Sequence, residues 1–236
     1  MYLHRPTGEY RLLLQTGRFK VKDQIGCYVL SLGSDQHPRF IGWPETSSRI
    51  FGATVQVRDS LHWYPVYCPA EKNMPLYERK LVVVFDTIAE SFRRMREPTI
   101  PGTSCIFDMD GTLGICTCSS SSRVVDIWVL QSYENEVWDL KYRIELPVAE
   151  ITREFEDCGE YWEWDFDVVS VNAGVLLLVR TDGWLLHIDS DGKLVNSFYR
   201  RHRGLCMSEC RFKQSLVQHA FFPALEGYVV NASPFI

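Results

Sequence analysis

The run Asp126-Ile127-Trp128-Val129-Leu130-Gln131-Ser132-Tyr133-Glu134-Asn135-Glu136-Val137-Trp138, continued by Tyr142-Arg143-Ile144, constrains the fold more than any other part of the chain. Apolar residues fill its first arm, a polar turn with Glu134 and Asn135 reverses the chain, and Trp138 opens the second arm. That is the pattern of a β-hairpin. A hairpin is marginal on its own in water, so its apolar face must be covered by another element.

The same design recurs. One copy runs from Leu61-His62-Trp63-Tyr64 to Leu81-Val82-Val83-Val84-Phe85-Asp86, then a polar bend and Phe92. The next runs from Asp110-Gly111-Thr112-Leu113-Gly114-Ile115 to Trp128 and Trp138. A third runs from Ala173-Gly174-Val175-Leu176-Leu177-Leu178 to Leu185-Leu186-His187-Ile188-Asp189, a bend at Asp191-Gly192, and Phe198. Each copy is a short apolar strand, a variable loop and a hairpin closed by an aromatic residue. Their spacing of roughly 50–60 residues is that of kelch-type propeller blades, and such units gain stability by stacking. An earlier arm, Cys27-Tyr28-Val29-Leu30-Ser31-Leu32, reads as part of a partial first unit. The predicted fold is all-β: one domain over residues 1–236, a kelch-like β-propeller built from repeated antiparallel hairpin units, incomplete or unclosed because its first unit is short.

Composition agrees. Of 236 residues, 46% are hydrophobic and 23% charged, ordinary for a globular chain. The high aromatic share of 13% suits pleated, half-buried surfaces. A net charge of -5 gives no general attraction to phosphate backbones, so nucleic acid is excluded as a partner. The clusters Arg93-Arg94-Met95-Arg96 and Arg200-Arg201-His202-Arg203 read as solvated or salt-bridged edges. No apolar run approaches the ~20 residues of a membrane span. The stretch Met1 to Gly8 lacks the apolar core of a secretory signal. Most of the eight cysteines lie in apolar strands or singly, as Cys27, Cys68, Cys105 and Cys158 do. That suits reduced, buried thiols, and the expected location is cytoplasmic, nuclear or both.

The segment Ile106-Phe107-Asp108-Met109-Asp110-Gly111-Thr112-Leu113 resembles the first motif of haloacid-dehalogenase-like phosphatases. There one aspartate attacks phosphorus, a second acts as acid and base, and Mg²⁺ neutralises the phosphate. The surrounding pattern points elsewhere. That motif needs a buried parallel strand followed by a helix, whereas Leu113-Gly114-Ile115-Cys116-Thr117-Cys118 continues as an alternating strand. Asp110-Gly111 is read instead as a tight turn, its glycine supplying positive φ. Cys116-Thr117-Cys118 and Cys206-Met207-Ser208-Glu209-Cys210 lack the paired knuckles of a structural zinc site, and alternation puts Cys116 and Cys118 on one face as core filler. His202 and His219 complete no set. No phosphate-binding glycine loop and no nucleophile triad stand out, so no catalytic residue, cofactor or metal ligand is expected.

Glu154-Phe155-Glu156-Asp157-Cys158-Gly159-Glu160-Tyr161-Trp162-Glu163-Trp164-Asp165 is acidic and aromatic together. It reads as a connector with Trp164 packed inward and its carboxylates solvated. Tyr161 and Trp162 are the candidate partner-binding residues, since interface hot spots favour these types.

Several stretches, in order, resemble the plant F-box-associated domain family. They are Pro6-Thr7-Gly8-Glu9-Tyr10-Arg11-Leu12-Leu13, the Leu61-His62-Trp63 strand, Val84-Phe85-Asp86 leading to Phe92-Arg93, the Trp128-to-Ile144 hairpin with Leu146-Pro147, and Ser215-Leu216-Val217-Gln218-His219-Ala220-Phe221-Phe222-Pro223. The resemblance implies a kelch-like propeller that recognises a target protein for an SCF-type ubiquitin ligase, with no catalytic residues. It also implies that docking on a Skp1-type adaptor belongs to a helical F-box, which these residues do not contain. A module that binds its target without recruiting a ligase is the alternative within this class, and the Mg²⁺-dependent phosphatase is the alternative outside it.

The hairpin reading makes Trp128 structural. Removing a large aromatic from a core costs about 3–5 kcal/mol, so Trp128→Ala is expected to yield insoluble or unfolded protein. A soluble variant with an unchanged melting temperature contradicts the assignment.

Overall fold

Strands whose odd and even positions are both apolar must be covered on both faces, and that requirement organises this molecule. The structure, a computed structural model, describes residues 1–15, 26–42, 54–63, 81–98, 103–118, 123–155, 164–171, 174–181 and 183–199. The first sheet is β1 (Tyr2–His4), β2 (Glu9–Gln15), β3 (Cys27–Ser31) and β4 (Arg39–Gly42). The second is β5 (Val55–Val57), β6 (Ser60–Trp63), β7 (Leu81–Asp86) and β8 (Ser91–Arg96). The third is β9 (Thr103–Met109), β10 (Thr112–Cys118), β11 (Val124–Ser132) and β12 (Val137–Glu145). The fourth is β13 (Asp165–Val171), β14 (Gly174–Thr181), β15 (Trp184–Ile188) and β16 (Leu194–Tyr199). Every sheet is an antiparallel meander in chain order. Among the described residues, α1 (Val148–Glu154), between the third and fourth sheets, is the sole α-helix.

Each sheet shares a core with the next. In β7, Val82 and Val84 face the third sheet while Val83 and Phe85 face the first, and all four are fully buried. The third sheet repeats the arrangement. Ile106, Leu113, Ile115 and Leu130 pack toward the second sheet; Phe107, Ile127, Val129 and Ile144 pack toward the fourth. Helix α1 adds Val148 and Ile151 to that last core, and Phe155 just after it meets Trp184 edge-on, with ring centroids 4.5 Å apart. Trp164 is also buried there, as an inward-packed connector residue.

The two end sheets differ. The outer face of the first carries Leu3, Tyr10, Leu14 and Phe40, all more than a third exposed, with Tyr28 edge-on to Phe40. The outer face of the fourth carries Leu176, Leu178 and Leu185 half-buried, and His187 tilted against exposed Phe198.

Two sequence expectations are corrected. The repeating unit has four strands, because β5, β9 and β13 each precede the copy read from sequence. The Cys27 arm is not part of a partial unit, since β1 to β4 complete a four-stranded sheet. Three-residue strands such as Tyr2–His4 and Val55–Val57 are too short to show an alternation, and pairing with β2 and β6 in their own sheets defines them. Within the β11–β12 hairpin, Trp128 and Trp138 are not directly opposed. Trp128 pairs with Leu140 and Trp138 with Leu130, with a bulge between Ile127 and Trp128. Both tryptophans still pack, half-buried, against the core shared with the second sheet.

The Asp110-Gly111 turn is present as expected, with φ of 50° and 84° and Met109 paired to Thr112. Farther along this hairpin, Gly114 lies opposite Phe107, and a β-carbon built on it would sit 2.5 Å from the Phe107 ring. Glycine here makes room for an aromatic ring lying over the backbone. Gly114→Ala is expected to destabilise by about 1–3 kcal/mol through overpacking. Adding Phe107→Leu should recover part of that loss in a denaturant titration, and no recovery would place the strain elsewhere.

Candidate functional site

Within each meander the first and third turns fall at the same end of the sheet, so the hairpin turns of neighbouring sheets gather there. Their chemistry is repetitive. A polar side chain at the end of the third strand accepts hydrogen bonds from the turn: Asp86 Oδ1 from the Ile88 and Ala89 amides, Ser132 Oγ from the Asn135 amide, and Asp189 Oδ1 from the Asp191 and Lys193 amides. Such local bonds are why Asp and Ser favour turns.

The last turn residue before β8 is Glu90 and before β12 is Glu136, with φ of 49° and 55°. A left-handed glutamate is costly and persists only where its surroundings demand it. Here the demand comes from the preceding sheet. Glu90 accepts from Tyr2 Oη at 2.6 Å, from Arg11 at 2.7 Å and from Arg39. Glu136 accepts from Arg93 at 3.2 Å and from the Arg96 amide at 3.0 Å. Trp138 Nε1–H then donates to the Arg96 carbonyl at 2.9 Å. Each glutamate is a latch between consecutive sheets. Burial alone would raise the Glu90 carboxyl, but Tyr2, Arg11 and Arg39 outweigh it and hold the group below its ordinary value.

Between the second and third sheets, this end opens into a cleft of about 390 Å³ with an apolar floor that includes Val57, Leu113 and Leu130. Its polar lining includes Arg58, Asp110, Tyr133 and Lys141. Tyr133 is the centre. Its ring has the Arg58 and Arg93 guanidinium groups each 5.0 Å from the centroid, a cation–π arrangement on a ring with a polar handle. Arg58 also pairs with Glu134 at 3.0 Å.

Behind the ring lies fully buried His62. Its Nδ1 is 3.1 Å from the Val55 carbonyl and its Nε2 is 2.9 Å from Tyr133 Oη. A carbonyl only accepts, so Nδ1 carries the proton and Tyr133 Oη–H donates to Nε2. Burial pushes His62 down to about 4, and the imidazole is neutral at neutral pH. The arrangement fixes the Tyr133 ring and Arg58 in the wall of a cleft, with Arg93 also held against the ring. Chemically it is suited to contact and recognition.

Asp108 and Asp110, the two carboxylates of the phosphatase-like motif, belong to the antiparallel β9–β10 hairpin. Asp108 Oδ1 accepts the Gly111 amide at 2.7 Å. A parallel strand running into a helix, the setting that motif requires, is not what surrounds them. Among the described residues no group of three or more His, Cys, Asp or Glu could hold a metal ion. Nor is any described helix long and apolar enough to cross a membrane. Tyr161 and Trp162, the partner-binding candidates, lie outside the described residues, as do His202, His219 and the run from Ser215 to Pro223. Sequence reasoning placed Tyr133 in the hairpin but missed its role, because its partners His62, Arg58 and Arg93 come from another sheet.

No protein-family model matches the chain, and no curated protein matches it.

The Glu90 latch sets an acid limit. A carboxylate held below its ordinary value of 4.5 contributes stability that is fully present above that value and is lost as pH falls through the lower folded value. Glu90→Gln is therefore expected to cost about 1.5–3 kcal/mol at pH 7, the range for hydrogen bonds to charged groups. The gap to wild type should close as pH drops well below 4.5. Urea titrations across pH 7 to 3 measure this, and a gap independent of pH would remove the latch.

Proposed function

We propose that this chain is a protein-recognition domain that selects a target for ubiquitin-dependent turnover, with its four sheets arranged as successive blades of a kelch-like propeller. The observation that carries the reading is the Tyr133 cleft, where an aromatic ring holding two guanidinium groups 5.0 Å from its centroid stands beside Val57, Leu113 and Leu130. Tyrosine and arginine dominate interface hot spots, and immobilising them before binding lowers the entropic cost of association. The shared cores support the propeller arrangement, because blades stack through such faces. The resemblance to F-box-associated domains supplies the biological setting, in which ligase recruitment through a Skp1-type adaptor requires an F-box supplied outside these residues. Tyr161 and Trp162 remain a second proposed contact, and the acidic residues around them would favour a basic partner.

Arg58 is more than half exposed and its pairing with Glu134 is at the surface, so replacing it costs at most about 1 kcal/mol of stability. The double change Arg58→Glu with Lys141→Glu is expected to leave the melting temperature nearly unchanged. It should weaken capture of target protein from native tissue by ~10-fold or more, as loss of a hot spot does. Fusing an F-box to the wild-type chain should then lower the abundance of the captured protein, and the doubly changed chain should not. Equal capture by both proteins would move the interface away from this cleft. Capture without any fall in abundance would favour a binding module that works without a ligase.

A further inference from the structure

The β9–β10 hairpin carries two thiols facing one another. Cys105 and Cys116 are register partners in the antiparallel ladder. A two-residue turn at Asp110-Gly111 closes on Met109–Thr112. Hydrogen-bonded pairs then recur at alternate positions back along the ladder, at Phe107–Gly114 and at Cys105–Cys116. Pairs of this kind hold their Cα atoms about 5.5 Å apart, within the ~4.4–6.8 Å that a disulfide spans, and their Cβ atoms, about 5.5 Å apart, must draw together by about 1 Å to reach the disulfide range. Cys105 and burial together hold the Cys116 thiol well above its ordinary value. Cys116 is 2% exposed, whereas Cys105 is only partly buried. Cys118 sits on the same face two residues on and is also buried.

We propose that Cys105 and Cys116 form an oxidisable dithiol, a site of reversible covalent modification by low-molecular-weight disulfides of the glutathione class. Access assigns the order of events. The Cys105 thiolate attacks one sulfur of the small disulfide, forming a mixed disulfide and expelling one glutathione thiolate. Cys116 then releases its proton and attacks the Cys105 sulfur, expelling the second thiolate and closing the bond between β9 and β10. The protein loses two hydrogens as a disulfide is formed, and one small disulfide is reduced to two thiols. Cys116 is placed for the second step by its register pairing with Cys105; its neighbour and burial hold its thiol well above the ordinary value, so loss of that proton sets the pace of closure. The resulting crosslink would pin β9, the strand of the third sheet that runs beside β5 and β13, to its neighbour.

The test uses the full chain exposed to glutathione disulfide, followed by blocking of remaining thiols. Trypsin releases the peptide between Arg96 and Arg123, and cyanogen bromide then cuts it at Met109, separating Cys105 from Cys116 and Cys118. Pieces that stay joined until a reductant is added are the expected result, in wild type and equally in Cys118→Ser. Pieces that separate without reduction would overturn the proposal, whether Cys105 is found unmodified or carrying glutathione alone. A link that survives Cys116→Ser but is lost in Cys118→Ser would also overturn it, by assigning the bond to the other thiol. Should a cysteine variant fail to fold, fragment-ion sequencing of the joined wild-type pieces places the bond at Cys116, as expected, or at Cys118, which would overturn the proposal.

Discussion

Everything in this molecule depends on burying both faces of a sheet with neighbouring sheets. A strand such as Leu81–Asp86 presents Val82 and Val84 on one side and Val83 and Phe85 on the other. Neither set can face water without losing roughly 25 cal/mol for every Å² of apolar surface left uncovered. A single layer cannot satisfy such a strand, and helices on its flanks are not what the chain supplies there. The second and third sheets therefore lie between neighbours. Once that is settled, the hairpin turns collect at one end, and the latches and the cleft follow from their proximity.

Electrostatics refine this arrangement. Hydrophobic burial is non-directional, so it brings sheets together without fixing how far one slides along the next. Glu90 and Glu136 supply that reference by taking hydrogen bonds from arginines of the preceding sheet. Near the corresponding place in the β15–β16 turn stands Gly192, at φ 79°, where an added β-carbon would come 2.5 Å from the Glu145 carbonyl oxygen. The third and fourth sheets thus approach so closely at this point that backbone contact replaces a side-chain latch.

The sequence exposes those parts of the fold that are local. The hairpin from Asp126 to Ile144, the Asp110-Gly111 turn and the inward Trp164 are each specified by residues within a few positions of one another. Leading strands are less visible, since Val55-Gln56-Val57 offers only two apolar residues and gains its meaning from pairing with β6. Glu90 and Glu136 are invisible for a different reason. Nothing in local preference favours glutamate at positive φ, and the partners that stabilise it lie one sheet away. The same holds for the cleft: His62 and Tyr133 are 71 residues apart, and no spacing rule joins them. Tyr161 and Trp162 stood out by residue type, whereas Tyr133 is marked by what surrounds it.

Because each sheet is made from one continuous stretch of chain and shares its cores with its sequence neighbours, cohesion along the row resembles that of a linear array. Unfolding of such an array need not be all-or-none, since an end unit gives up one interface and a middle unit gives up two. The first and fourth sheets, which among the described residues share a core with one neighbouring sheet each, are then the places where partial opening begins. Backbone amides of β6, β7, β10 and β11 should exchange with solvent deuterium most slowly, and protection should decline toward β1 and β16. A gradient of that form would make the ends of the row adaptable while the Tyr133 cleft, between the two doubly covered sheets, sits in the most rigid part of the molecule.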